Sequence, residues 1–157
     1  MKFNSIMHVS FFTDNLDEIR MFYENKLGLK PKMIVRYRAY KNSNNLFFSK
    51  KALTNPDDIC IIYIEISSGQ FVEFFPKVEG QQAHSEWNEN LGYSHFALLV
   101  DDIFQTKHEL KMAGVEIDND ISKGPSHTYQ FWIHDPDGNK IEIMQYTENS
   151  VQVEGNC

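Results

Sequence analysis

With 157 residues, 41% of them hydrophobic and 13% aromatic, the chain is long enough to bury a core without disulfides and too apolar for disorder. Its 22 acidic residues against 15 basic ones leave a formal charge of −7, which repels phosphate backbones and anionic lipid surfaces, so neither nucleic acid nor membrane is expected as a partner. No apolar run approaches the roughly 20 residues that cross a bilayer, and Met1-Lys2-Phe3-Asn4 does not open a signal peptide, so one cytoplasmic domain over 1–157 is the expectation.

The first element opens at His8, where Val9 to Phe12 read as a strand. Leu16, Ile19, Phe22, Tyr23 and Leu27 follow at helical spacing, and Gly28 stops the helix. A weak strand is expected over 32–37, then a polar, asparagine-rich excursion over 39–58. Residues 60–66 and 70–75 read as a hairpin around Ser67-Ser68-Gly69. Cys60 lies in an apolar run and Cys157 is the last residue, a spacing that suggests neither a bridge nor a thiolate metal site, so Cys60 reads as core. Residues 77–91 read as a linker with a short helix carrying His84.

The pattern then begins again. His95 opens Phe96 to Val100, Ile103, Thr106, Leu110 and Ala113 recur at helical spacing, and Gly114 closes the helix, on which His108 looks solvated. A weak strand is expected over 115–119. The loop carrying His127 leads into 129–134, the Asp135-Pro136-Asp137-Gly138 turn, and 140–146. His134 reads as capping or decorating that turn, and the tail from about Asn149 as loose. Asp14 and Asp101 each stand six residues after their histidine, and Glu73 and Glu142 each four after the turn glycine. Two β-α-β-β-β modules, over 5–76 and 92–147, therefore make an α+β fold with 77–91 as linker.

Side chains alternate across a strand, so His8 shares a face with Ser10 and Phe12, and Glu73 with Phe71 and Phe75. An imidazole or carboxylate in such apolar surroundings is costly unless paired, protonated or bound to metal. A lone strand glutamate usually faces solvent, and a lone histidine in an apolar run is usually a satisfied core residue. Four such groups in register, His8, Glu73, His95 and Glu142, favour a metal instead if the halves pack by pseudo-twofold symmetry. Two nitrogens and two oxygens without sulfur suit Zn, Ni, Co, Mn or Fe(II) with coordination positions left open, rather than a structural zinc. His127 is a candidate acid or base, although an exposed loop histidine is the plainer reading. Tyr63, Tyr129 and Trp132 are candidate pocket walls, with core packing as the default.

The segments HVSFFTDNLDEIRMFYENKLGL (8–29), GYSHFALLVDDI (92–103) and FWIHDPDGNKIEIMQ (131–145) resemble the vicinal-oxygen-chelate superfamily of glyoxalases, bleomycin-resistance proteins and dioxygenases. That resemblance implies a cup-like mixed sheet built from the two modules and one divalent ion held by His8, Glu73, His95 and Glu142. It implies a metal-stabilised enediolate, with Glu142 or Glu73 as the base acting on the proton beside a carbonyl. The ligand set is similar to that of bacterial-type glyoxalase I (lactoylglutathione lyase), so the implied function is a metal-dependent lyase or isomerase. Its substrate would be a small α-oxygenated carbonyl compound or its thiol adduct. The same resemblance leaves drug or metabolite sequestration of the bleomycin-resistance type, fosfomycin modification and ring cleavage as alternatives. Where that glyoxalase I carries an arginine for a glutathione carboxylate, this chain has Phe12, which argues against glutathione or another thiol as cosubstrate. Phe12, Arg36, His127 and Tyr129 are the candidate substrate contacts, with Arg38 a second replacement cation. The family habit implies a homodimer.

Overall fold

The burial of the first strand, β1 (His8–Thr13), alternates: Phe11 and Thr13 are buried while His8, Ser10 and Phe12 line the opposite, exposed face. In this computed structural model, which describes residues 4–83 and 85–155, the chain divides into two compact units, Met1–Gln81 and Gln82–Cys157. His84 and Cys157, both read in the sequence, lie outside the described residues.

In the first unit β1 leads into helix α1 (Leu16–Arg20), whose N-terminus is capped by the Asn15 side chain accepting from the Glu18 N–H. The helix widens to π-type turns over Met21–Lys26 and is followed by Gly28 at φ +70°, a conformation that costs glycine little. Its inner face buries Ile19, Phe22 and Tyr23, and the Tyr23 ring lies 5.0 Å from that of Phe74. Then come β2 (Lys30–Arg36), helix α2 (Leu46–Thr54), β3 (Ile59–Ser67) and β4 (Gln70–Pro76). The sheet order is β1-β4-β3-β2, with β1 and β4 parallel and the other pairs antiparallel.

The excursion between β2 and β3 is more structured than its polar composition suggests. A 3-10 turn over Tyr37–Tyr40 and the Asn45-capped α2 place Tyr37, Tyr40, Phe47 and Phe48 around Ala52, Cys60 and Ile61, a satellite core beside β3. Its aromatic residues are spaced too irregularly to show as one helical stripe.

The second unit repeats the plan as β5 (His95–Leu99), α3 (Ile103–Met112), β6 (Ser122–Lys123), β7 (Tyr129–His134) and β8 (Lys140–Gln145), in the order β5-β8-β7-β6. Asp102 caps α3 by accepting from the Phe104 and Gln105 N–H groups, and Gly114 follows its end at φ +73°. The α+β architecture of two βαβββ modules is thus present, with the same strand order in each.

Three local expectations are corrected. The strand expected over 115–119 forms instead at 122–123, because Asn119 uses its side-chain oxygen to accept the Trp132 N–H and departs from ladder geometry. Among the described residues of 77–91 there are turns but no helix. The tail is not loose: helix α4 (Val151–Glu154) is pinned by the buried pair Thr128 and Ser150, whose hydroxyl oxygens lie 2.9 Å apart.

Candidate metal centre

Parallel pairing of β1 with β4 sets Ser10 beside Glu73 and His8 beside Phe71 on one sheet face. His8 Nε2 lies 3.5 Å from Glu73 Oε2, and the Ser10 hydroxyl donates to that same oxygen. Glu73 is only 5% exposed, so its oxygens need polar partners of this kind. Across the hairpin Tyr63 stands opposite Glu73, with its ring edge-on to His8 at 5.6 Å. Burial, and then the adjoining Glu73 carboxylate, push the Tyr63 phenol up to about 12, so it stays protonated. Burial raises the Tyr40 pKa, and the neighbouring Cys60 and Glu73 add to the effect.

The second unit reproduces the pair. His95 Nε2 lies 3.5 Å from Glu142 Oε2, Glu142 is 8% exposed, and Trp132 takes the cross-strand position that Tyr63 holds in the first unit. The His95 and Trp132 rings meet edge-on at 4.7 Å. Here the neighbour on the first strand is Ala97 rather than a hydroxyl residue. Burial raises the Glu142 pKa, and the proximity of His95 only partly offsets it.

Each pair suits a divalent cation. Two ligands that share an ion tetrahedrally at about 2.1 Å stand about 3.4 Å apart, close to the separations in both units. Among the described residues, no group of three or more His, Cys, Asp or Glu side chains gathers to hold an ion; the structure shows the donors as two pairs.

The other candidates are more dispersed. Phe12 is 45% exposed on the His8 face and its ring lies 5.3 Å from Phe75, an aromatic pair where a cation would be needed for a substrate carboxylate. Arg36 donates to the Asp57 carbonyl and Arg38 pairs with the Asp57 carboxylate, so both are drawn to the excursion loop. His127 is exposed at φ +58°, and Tyr129 packs against Phe104 at 5.7 Å with Lys123 Nζ 4.3 Å from its ring centroid. His134 does not cap the Asp-Pro-Asp-Gly turn: its Nδ1 is 2.7 Å from Asp118, and Asp135 accepts the Asp137 and Asn139 N–H groups that close the turn. Cys60 is buried, as expected for core.

Sequence reading missed Ser94, Trp87 and Asn88, which surround His95. Ser94 Oγ lies 3.1 Å from His95 Nδ1 and 2.6 Å from Asn88 Oδ1, while Trp87 Nε1 donates to it at 3.3 Å. The only signal was the hydroxyl residue adjoining His95, within a stretch that has no periodicity.

A βαβββ module that sets one imidazole against one buried glutamate, built twice with the same strand order, defines a duplicated α+β class of protein. The chain belongs to the Glyoxalase/Bleomycin resistance protein/Dioxygenase superfamily, whose family model matches residues 5–143. It is 26% identical over 152 residues, 96% of each chain, to a probable lactoylglutathione lyase of Vibrio parahaemolyticus serotype O3:K6 (strain RIMD 2210633). The fold is similar to that of a glyoxalase family protein from Enterococcus faecalis, with a TM-score of 0.69 and 23% identity over 92% of this chain and 99% of that one. It also resembles lactoylglutathione lyase from Agrobacterium tumefaciens, with a TM-score of 0.59 and 19% identity over 90% and 92% of the respective chains. Among the described residues no helix is long and apolar enough to cross a membrane.

Proposed function

We propose that this chain is a divalent-metal-dependent lyase or isomerase related to lactoylglutathione lyase, acting on a small α-oxygenated carbonyl compound. The observation that carries the reading is the recurrence, in each unit, of a histidine Nε2 3.5 Å from a buried glutamate oxygen. His8 with Glu73, and His95 with Glu142, are the donors the chain would offer a divalent ion, which when bound supplies Lewis acidity toward neighbouring substrate oxygens. The protein's own part is the proton transfer. Glu142, raised by burial and lacking a hydroxyl beside it, is suited to take the proton from the carbon next to the carbonyl and return it one carbon away. Glu73, held by Ser10, is suited to remain a fixed ligand.

The aromatic pair Phe12 and Phe75 on the His8 face favours an apolar substituent on the substrate over the carboxylates of glutathione. That observation also supports a second reading, in which the same face sequesters an apolar drug or metabolite without turnover. A homodimer is proposed from family habit alone.

Elemental analysis of the purified protein beside a Glu73→Gln, Glu142→Gln double variant tests the first reading. The expected result is about one equivalent of divalent metal per chain, lost in the variant, with isomerisation of α-oxygenated carbonyl compounds by the loaded protein. Absence of metal after reconstitution with Ni, Zn, Co, Mn and Fe would leave sequestration as the function to pursue.

A further inference from the structure

We infer that Ser94, together with Trp87 and Asn88, is a positioning group that fixes His95 in its Nδ1-protonated tautomer and so turns the Nε2 lone pair toward Glu142. A hydroxyl has one proton and two lone pairs. The Trp87 indole N–H can only donate, and it takes one Ser94 lone pair at 3.3 Å. Asn88 Oδ1 can only accept, and at 2.6 Å it takes the Ser94 proton. The lone pair that remains meets His95 Nδ1 at 3.1 Å, so that nitrogen carries the hydrogen and Nε2 of the neutral ring does not.

The parts of this relay are themselves held. Trp87 packs at a tilt against Trp132, ring centroids 5.2 Å apart, Trp132 in turn meets the His95 ring edge-on, and Lys140 Nζ lies 5.5 Å from the Trp87 ring centroid. Asn88 sits at φ +62°, a left-handed conformation that asparagine tolerates better than most residues. In the first unit the contrast is plain: His8 Nδ1 lies 2.8 Å from the Met7 thioether sulfur, a weak acceptor. The second unit therefore holds a preset imidazole. Its unprotonated Nε2 faces Glu142 Oε2 at 3.5 Å, two acceptors that attract a cation between them. This last step rests on the metal-dependent reading above; the tautomer does not. An outer hydrogen bond of this kind orients a ligand imidazole and raises its basicity.

The test uses the full chain, freed of metal by chelation and labelled with 15N in histidine, with the His95 signals assigned by comparison with His95→Gln. Long-range proton–nitrogen spectra at a pH where the ring is neutral should show a pyrrole-like Nδ1 and a pyridine-like Nε2. Ser94→Ala should lose that preference, Ser94→Thr should restore it, and Asn88→Ala, which frees the serine proton to turn to Nδ1, should shift His95 toward Nε2–H. A His95 already protonated on Nε2, or a tautomer unmoved by both alanine variants, would overturn the inference. In parallel, Zn²⁺ alone is titrated into each folded variant, where Ser94→Ala should bind about tenfold more weakly than the unmodified chain and Ser94→Thr nearly as well. Equal affinity in Ser94→Ala would overturn the link from relay to cation. No binding by the unmodified chain, with the Nδ1–H tautomer intact, would remove the metal-dependent reading and leave the tautomer assignment standing.

Discussion

Ser10 and Ala97 occupy equivalent register positions on the first strands of the two modules, Ser10 paired with Glu73 and Ala97 with Glu142. Through that one difference the duplicated scaffold treats its two carboxylates unequally. Glu73 receives a hydroxyl hydrogen bond, while Glu142 has an alanine at that position and is raised by burial. A chain in which one carboxylate anchors and the other carries protons needs such an asymmetry.

Ala97→Ser should transfer that hydrogen bond to Glu142. Ala97 lies on the exposed side of its strand, so the extra oxygen has room. A hydrogen bond to a charged group contributes about 1.5 kcal/mol, so turnover of the metal-loaded protein should fall roughly tenfold with KM little changed. Steady-state kinetics with an α-oxygenated carbonyl substrate check this, and unchanged turnover would deny Glu142 the role of base.

Metal-free protein should show Glu142 in its stability profile. Its native pKa stands above the ordinary 4.5, so the native chain holds this proton more tightly than the unfolded chain. The stability contributed is fully present below pH 4.5 and is lost as pH rises through the native value. Glu142→Gln cannot undergo that loss. Its melting temperature should exceed that of the unmodified chain near neutral pH, with the gap narrowing on acidification; parallel melting curves across this window would contradict the assignment.

Cys60 should resist alkylation while the protein is folded. Burial pushes its thiol up to about 11, leaving roughly one thiolate in a thousand at pH 8, and its side chain is enclosed by the satellite core. Peptide mapping after iodoacetamide treatment should find Cys60 labelled at least tenfold more slowly in native buffer than in denaturant. Comparable rates would mean that the excursion over 37–58 opens readily.

Ser150→Ala should destabilise the second unit. The change removes the Ser150 hydroxyl from the buried Thr128, and with it the acceptor of the Thr147 N–H. Leaving buried polar groups unsatisfied costs about 1–3 kcal/mol each, readable as a lower denaturant midpoint. No change would show that Gln152, whose side-chain oxygen accepts from Thr128 at 2.6 Å, suffices.

The periodic parts of this fold were legible in the residues. Alternation around His8 and His95, helical spacing ending near Gly28 and Gly114, and turn chemistry at Gly69 and Gly138 report forces that act locally, and the strands and helices formed there. The repeat marked His8, Glu73, His95 and Glu142 as equivalent groups, but the sequence reading set all four around one ion; that each histidine stands beside the glutamate of its own unit is a finding of the structure. What escaped was set by single side chains replacing backbone partners. Asn119 diverts a strand, Ser150 anchors a tail, and Ser94 gathers Trp87 and Asn88 from a stretch with no pattern at all. The aromatic excursion escaped for a related reason, since Tyr37 and Tyr40 belong to a 3-10 turn and Phe47 and Phe48 to the separate helix α2.

The parallel adjacency of β1 and β4, the first and last strands of their module, bears on how the protein is made. Ser10 and Glu73 are 63 residues apart in sequence, and closing so long a loop is slow compared with forming the helix and hairpin between them. An emerging nascent chain will therefore display the histidine long before its carboxylate partner exists. Neither pair can form until its module has been synthesised to its final strand, so the first histidine meets its glutamate once β4 is made, while the second module is still to be translated.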